Sequence, residues 1–132
     1  MQIGYVPNPR EWSRWNEAEA LLEPARKIGG FPSVLDSDES LFAVLDGDNL
    51  LGVASTWMTP EKHIEVKLVG GRDHHRWIGE LDKVIGSAAR EAGATRLIAW
   101  GRRGWVKVLA RQGWEAIQMS DGDMAYSRRL GV

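Results

Sequence analysis

Apolar positions change period several times along the chain. Gln2 to Val6 alternates, with Ile3 and Tyr5 on one side, and predicts a short strand closed by Pro7-Asn8-Pro9. Asn8 suits a helix N-cap and Pro9 a first helical residue. Trp12, Trp15, Ala18 and Leu22 then recur at helical spacing. Pro24 is expected to end that helix, with a second short helix from Pro24 to Ile28 before Gly29-Gly30. Leu41 to Leu45 and Leu50 to Trp57 are apolar runs joined by Asp46-Gly47-Asp48-Asn49, a hairpin signal. Next, Ile64, Val66 and Leu68 alternate with His63, Glu65 and Lys67, which predicts a strand with one apolar face.

Trp77, Leu81, Val84, Ile85, Ala88 and Ala92 form a helical stripe, with Gly93 where a C-cap glycine belongs. Leu97 to Trp100 reads as a buried strand. Trp105, Val108 and Leu109 begin a short helix that Gly113 ends. Trp114 to Met119 and Met124 to Leu130 predict a last hairpin across Ser120-Asp121-Gly122-Asp123. The expected order is β-α-α-β-β-β-α-β-α-β-β, an α/β fold with a mixed sheet and helices on both faces.

At 132 residues the chain is expected to form one domain, 1–132, around a single core. Its net charge of -1 argues against a generic nucleic-acid or membrane-surface binder. The absence of cysteine excludes a disulfide framework and thiol chemistry. No apolar run approaches the roughly 20 residues of a membrane span, and the N-terminus does not read as a signal peptide. A cytoplasmic protein is expected, or one packaged in a particle assembled there. The seven tryptophans are expected mostly in the core or half-core, with a few lining a pocket or an interface.

The order of elements, the hairpin LFAVLDGDNLLGVASTW, the strand-loop-helix from Ile64 to Gly93 and the segment VLARQGWEAI resemble the GNAT family, the GCN5-related N-acetyltransferases. The resemblance covers nearly the whole chain. It implies an acetyl-CoA site in a splay between the fourth and fifth strands. The pantetheine would pair with the fourth strand, here through Leu68 and Val69. The pyrophosphate would sit on N–H groups at the start of the long helix. An amine acceptor would attack the thioester.

The phosphate turn would lie in VGGRDHHRWIGEL, residues 69–81. The family's turn, Gln/Arg-x-x-Gly-x-Gly/Ala, falls on Asp73, Arg76 and Ile78 in one register, and on His74, Trp77 and Gly79 in the next. Neither restores the small residues that let amides approach a phosphate. Arg76, Trp77, Ile78 and Gly79 are therefore the candidate cofactor-binding positions. Arg72, Arg76, Arg102 and Arg103 are candidates to meet phosphates through side chains. The family's frequent acid, a Tyr, is replaced by Leu109, and its Asn by Arg102 or a neighbour. Glu65 is the candidate catalytic base; a salt-bridged surface group flanked by His63 and Lys67 is the plainer reading.

His74 and His75 are adjacent and would chelate one metal poorly, so no metal site is expected. The Asp46-Gly47-Asp48-Asn49 turn lacks the length and terminal Glu of a calcium loop. Trp100, Arg102, Arg103, Trp105 and Trp114 cluster in sequence and suit a protein partner; the net charge weakens a nucleic-acid reading. Two functions follow. One is a fold retained for binding or structure with catalysis lost. The short length and the Trp content also resemble the small acetyltransferase-fold proteins inside virions of short-tailed phages. The other is an acetyl-CoA-dependent N-acetyltransferase.

Overall fold

The computed structural model describes residues 1–131. Seven strands form one sheet in the order β1-β2-β3-β4-β5-β7-β6. They are β1 (Gln2–Val6), β2 (Ser40–Asp46), β3 (Asn49–Met58), β4 (His63–Gly71), β5 (Arg96–Gly101), β6 (Glu115–Gln118) and β7 (Met124–Arg129). Every neighbouring pair is antiparallel except β4 and β5. Helix α1 (Trp15–Gly29) covers one face; α2 (Ile78–Glu91) and the short α3 (Val106–Ala110) lie on the other. The expected α/β class and mixed sheet are both present.

The break in the first helical region falls earlier than the sequence suggests. A single 3-10 turn over Pro9–Glu11 precedes α1, and α1 runs unbroken through Pro24. Pro24 cannot donate to the carbonyl of Ala20, but both residues are exposed, so the break in the bond ladder falls on the helix side away from the core. On the opposite side Ala18 and Leu22 are fully buried and hold the helix on the sheet.

The core has two layers. Trp77, Leu81, Ile85 and Ala89 of the α2 region pack with Val44, Ala54, Leu97 and Tyr126 on one face. Ala18 and Leu22 pack with Leu41, Ala43, Val53 and Leu68 on the other. Strand β4 does not keep one apolar face. Leu68 pairs with Ser55 and Val66 with Thr56, so Lys67 is an extra residue, a β-bulge. The bulge inverts the alternation: Ile64, Val66 and Val69 join the α2 side, while Leu68 is buried under α1.

The turn that follows α3 closes at Gly113, whose φ of 85° suits glycine. Gly113 and Trp114 donate N–H bonds to Ala110 and Leu109. This stop turns Trp114 down into the core, where it is 8 % exposed.

Candidate functional site

β4 and β5 pair only over His63–Val66 and Arg96–Ala99. Beyond the bulge they separate, because the extra residue bends β4. The opening is a cleft of about 1260 Å³. Its walls are the second half of β4, the end of β5 with Arg102 just beyond it, and side chains of α1, α2 and α3. Of the two β4 residues expected to meet a cofactor, Leu68 spends its N–H on Ser55 Oγ at 3.1 Å, toward β3. Arg72 likewise donates to Leu51 O at 2.8 Å. Since N–H direction alternates along a strand, Val69 and Gly71 turn their backbone groups into the cleft.

Glu65 lines the cleft on the α1 face. Trp57, directly opposite on β3, donates its Nε1–H to Glu65 Oε1 at 2.8 Å. Glu65 is not salt-bridged by Lys67. That lysine reaches Asp36 Oδ2 at 2.8 Å and Glu39 Oε1 at 2.9 Å, and stands 4.8 Å above the Phe31 ring. Glu39 is almost fully buried; its contact with Lys67 is an ion pair without hydrogen-bond alignment, while its Oε2 accepts the Asp36 N–H. Among the described residues Glu65 Oε2 has no partner, which leaves it open to the cleft.

The stretch from Val69 to Leu81 serves packing first. A methyl group at Gly70 would fall 1.9 Å from the Leu21 carbonyl oxygen, so α1 lies directly on β4 there. One at Gly71 would fall 2.3 Å from Leu51 O. Trp77 is 1 % exposed, and its ring lies where a side chain on Gly52 would be, with Nε1 donating to Arg72 O at 2.7 Å. It borders the cleft as a core residue rather than as an open phosphate contact. Asp73 takes a left-handed conformation, and a 3-10 turn over His74–Arg76 leads into α2.

At that helix start lies a smaller cleft of about 340 Å³. Arg76, Ile78 and Gly79 border it, together with His74, His75, Lys83 and Glu80, whose carboxylate lies 3.7 Å from Lys83. Arg111 and Gln112 arrive from the end of α3. The N–H groups of Ile78, Gly79 and Glu80 have no carbonyl one turn earlier to serve them, a general property of a helix start. Of the four arginines expected near phosphate, only Arg76 borders this cleft, and it also lies 3.6 Å from Asp46 Oδ2. Arg72 donates to Leu50 O, Arg103 bonds Gln118, and Arg102 borders the larger cleft. Lys83 and Arg111 carry no sequence signal, because only the approach of α3 to α2 brings them here.

The Trp and Arg cluster disperses. Trp114 is core and donates to Asp82 Oδ1 at 2.9 Å; Trp105 lies half-buried, 5.4 Å from the His74 ring; Trp100 is 56 % exposed on the opposite face. Asp82 also meets Arg128 at 3.3 Å. Burial raises its pKa, against the lowering effects of the Trp114 hydrogen bond and Arg128. Leu109 lines the large cleft, as does Tyr126, the only hydroxyl-bearing side chain among its described lining residues. Tyr126 donates to the Arg102 carbonyl, and burial pushes its pKa up. Its reach past β5, alongside Gly101, is invisible in sequence. Among the described residues no group of His, Cys, Asp and Glu is placed to hold a metal ion, and no helix is long and apolar enough to cross a membrane.

Comparison with known families and with curated proteins finds no sequence match. Solved structures do match in shape. Tetrahymena GCN5 superposes with a TM-score of 0.77 at 13% identity, covering 99% of this chain and 97% of that one. A Bacillus subtilis acetyltransferase in complex with CoA gives 0.69 at 15%, covering 98% and 99%. The GNAT domain of S. lividans PAT gives 0.70 at 16%, covering 97% and 89%. The mixed seven-stranded sheet with its helices is thus the GNAT acetyltransferase fold.

Proposed function

We propose that the chain is an acyl-CoA-dependent N-acyltransferase, with acetyl-CoA as donor and a primary amine as acceptor. The observation that carries this reading is the open splay between β4 and β5, with unclaimed backbone groups on one wall, cations near one end and a free carboxylate oxygen beyond the other. The likeness to solved acetyltransferases supports it through the fold.

The residues fit the donor in part. Val69 and Gly71 offer backbone groups to an extended amide chain. The amides of Ile78, Gly79 and Glu80, with Lys83 and Arg111, suit an anionic diphosphate. Trp77 and Ile78 are bulkier than the family's turn, and cations stand in for bare peptide. When bound, acetyl-CoA supplies an activated acyl group. Glu65 Oε2 takes a proton from the acceptor ammonium, directly or through water, while Trp57 holds the carboxylate in place. Leu109 has no proton to give. The Tyr126 hydroxyl, which donates to the Arg102 carbonyl, would return a proton to the leaving thiolate only after giving up that bond.

A second reading draws on the same turn. Arg76, Trp77 and Ile78 stand where the family keeps small residues, and Leu109 where it keeps Tyr. These departures support a fold kept for binding or structure, with exposed Trp100 meeting a protein partner, for instance in a phage particle. Calorimetry with acetyl-CoA and an assay of thiol release separate the two. The acyltransferase binds the donor and gains about 2.7 kcal/mol of stability at a hundredfold excess over Kd. No shift in melting temperature at millimolar acetyl-CoA overturns this reading.

A further inference from the structure

Helix α1 packs on β3 and β4 and leaves the same face of β5, β7 and β6 open. Strand register sorts that face into rows. At the mouth of the cleft Trp100, Ala125 and Ile117 stand side by side. Trp100 is 56% exposed and Ile117 65%, so the row is an apolar shelf in water. Two residues along each strand, about 6.7 Å away, Glu65 is beside Ile98, and Glu115 ends the row on β6. Glu115 lies about 14 Å from Glu65, three strand spacings off. The third row is His63, Arg96 and Arg129.

We infer that the acceptor is an amine with a single positive charge on a flat apolar body, and not a polycation. The inference rests on the acyltransferase reading and deepens it. Of the carboxylates that line the cleft, Glu65 and Asp123 have no ion-pair partner among the described residues; Glu65 is the one on β4 and has room for one ammonium, while Asp123 stands two residues before Ala125, beyond the shelf. The shelf continues from the cleft across three strands, about 10 Å. An aromatic ring laid on it gains apolar burial and stacking against the Trp100 indole. A second ammonium beyond Glu65 meets the cationic third row, and on the other side it meets Lys67, whose two carboxylates are already engaged. The transfer joins the amine nitrogen to the acyl carbon and breaks the carbon–sulfur bond. Of the two protons lost from the ammonium, one passes through Glu65 to water and the other ends on the thiol.

The test compares 2-phenylethylamine with spermidine as acceptors, by thiol release from acetyl-CoA, with calorimetry of each amine alone on the full chain. The expected kcat/KM is at least about tenfold higher for 2-phenylethylamine, equivalent to one well-placed ring contact. Trp100→Ala raises KM far more than it lowers kcat and weakens amine binding without cofactor; Trp100→Phe restores both. Arg96→Glu with Arg129→Glu improves spermidine. Turnover of spermidine in preference overturns the acceptor class and leaves the acyltransferase standing. Failure of acetyl-CoA to bind overturns the acyltransferase; amine binding lost in Trp100→Ala would then still support the shelf, and its absence would sink it. A dimer in sedimentation that Ile117→Glu dissolves makes the shelf an interface between copies and overturns the inference.

Discussion

Gly70 has no room for a side chain, because the Leu21 carbonyl occupies the place where a Cβ would stand. Gly70→Ala is expected to destabilise the fold by about 1–3 kcal/mol, the usual range for overpacking, read as a lower urea midpoint. An unchanged midpoint would mean that α1 rides higher on β4. Gly52 and Trp77 tell a related story: the indole takes the space that Gly52 leaves, so a tryptophan that looks misplaced in a phosphate turn is a core residue. Glu65 is the opposite case, a carboxylate in a strand whose one bond comes from Trp57. Glu65→Gln keeps that bond as acceptor and is expected to leave the melting temperature in place. Turnover should fall by about 10²–10⁴-fold if Glu65 is the base; retained turnover assigns proton removal elsewhere.

The bulge in β4 organises its surroundings. It bends the strand away from β5, buries Leu68 under α1 and puts Lys67 against Glu39 and Asp36, which ties the loop before β2 to the strand. Burial lowers the pKa of Lys67, but bonds to the two carboxylates outweigh that and leave it raised. Folded Lys67 therefore holds its proton more tightly than unfolded Lys67. Its stabilising contribution is complete below the ordinary lysine range and is lost as pH rises through the folded value. Lys67→Met leaves Glu39 buried without a counter-charge and is expected to cost about 3 kcal/mol at neutral pH. Chemical denaturation along a pH series should show that difference shrinking above about pH 10.5; a constant difference would mean that lost packing, not lost charge, is responsible. Proline in α1 was a local signal for a break, and the local rule gave way on the exposed side of the helix, where Ala20 and Pro24 lie away from the buried Ala18 and Leu22.

The two clefts depend on three segments meeting: the turn before α2, the end of α3 and the diverging strands. Lys83 of α2 and Arg111, just past α3, meet at one small cleft that Glu80 also lines, 3.7 Å from Lys83. Lys83→Glu with Arg111→Glu should weaken acetyl-CoA binding at low salt by about tenfold or more and flatten its salt dependence, measured by calorimetry. Unchanged affinity would place the diphosphate elsewhere. Element order, the hairpins and the strand-turn-helix around residue 70 were legible because short runs of apolar residues match a backbone period whatever lies beside them. The place of Glu65 on β4 was legible for the same reason. The bulge, the Trp57 bond to Glu65, Tyr126 beside the cleft and the Lys83–Arg111 pair were not. Each is settled by atoms brought together from distant parts of the chain, and periodicity carries no record of which neighbour a side chain will meet or how much space that neighbour leaves.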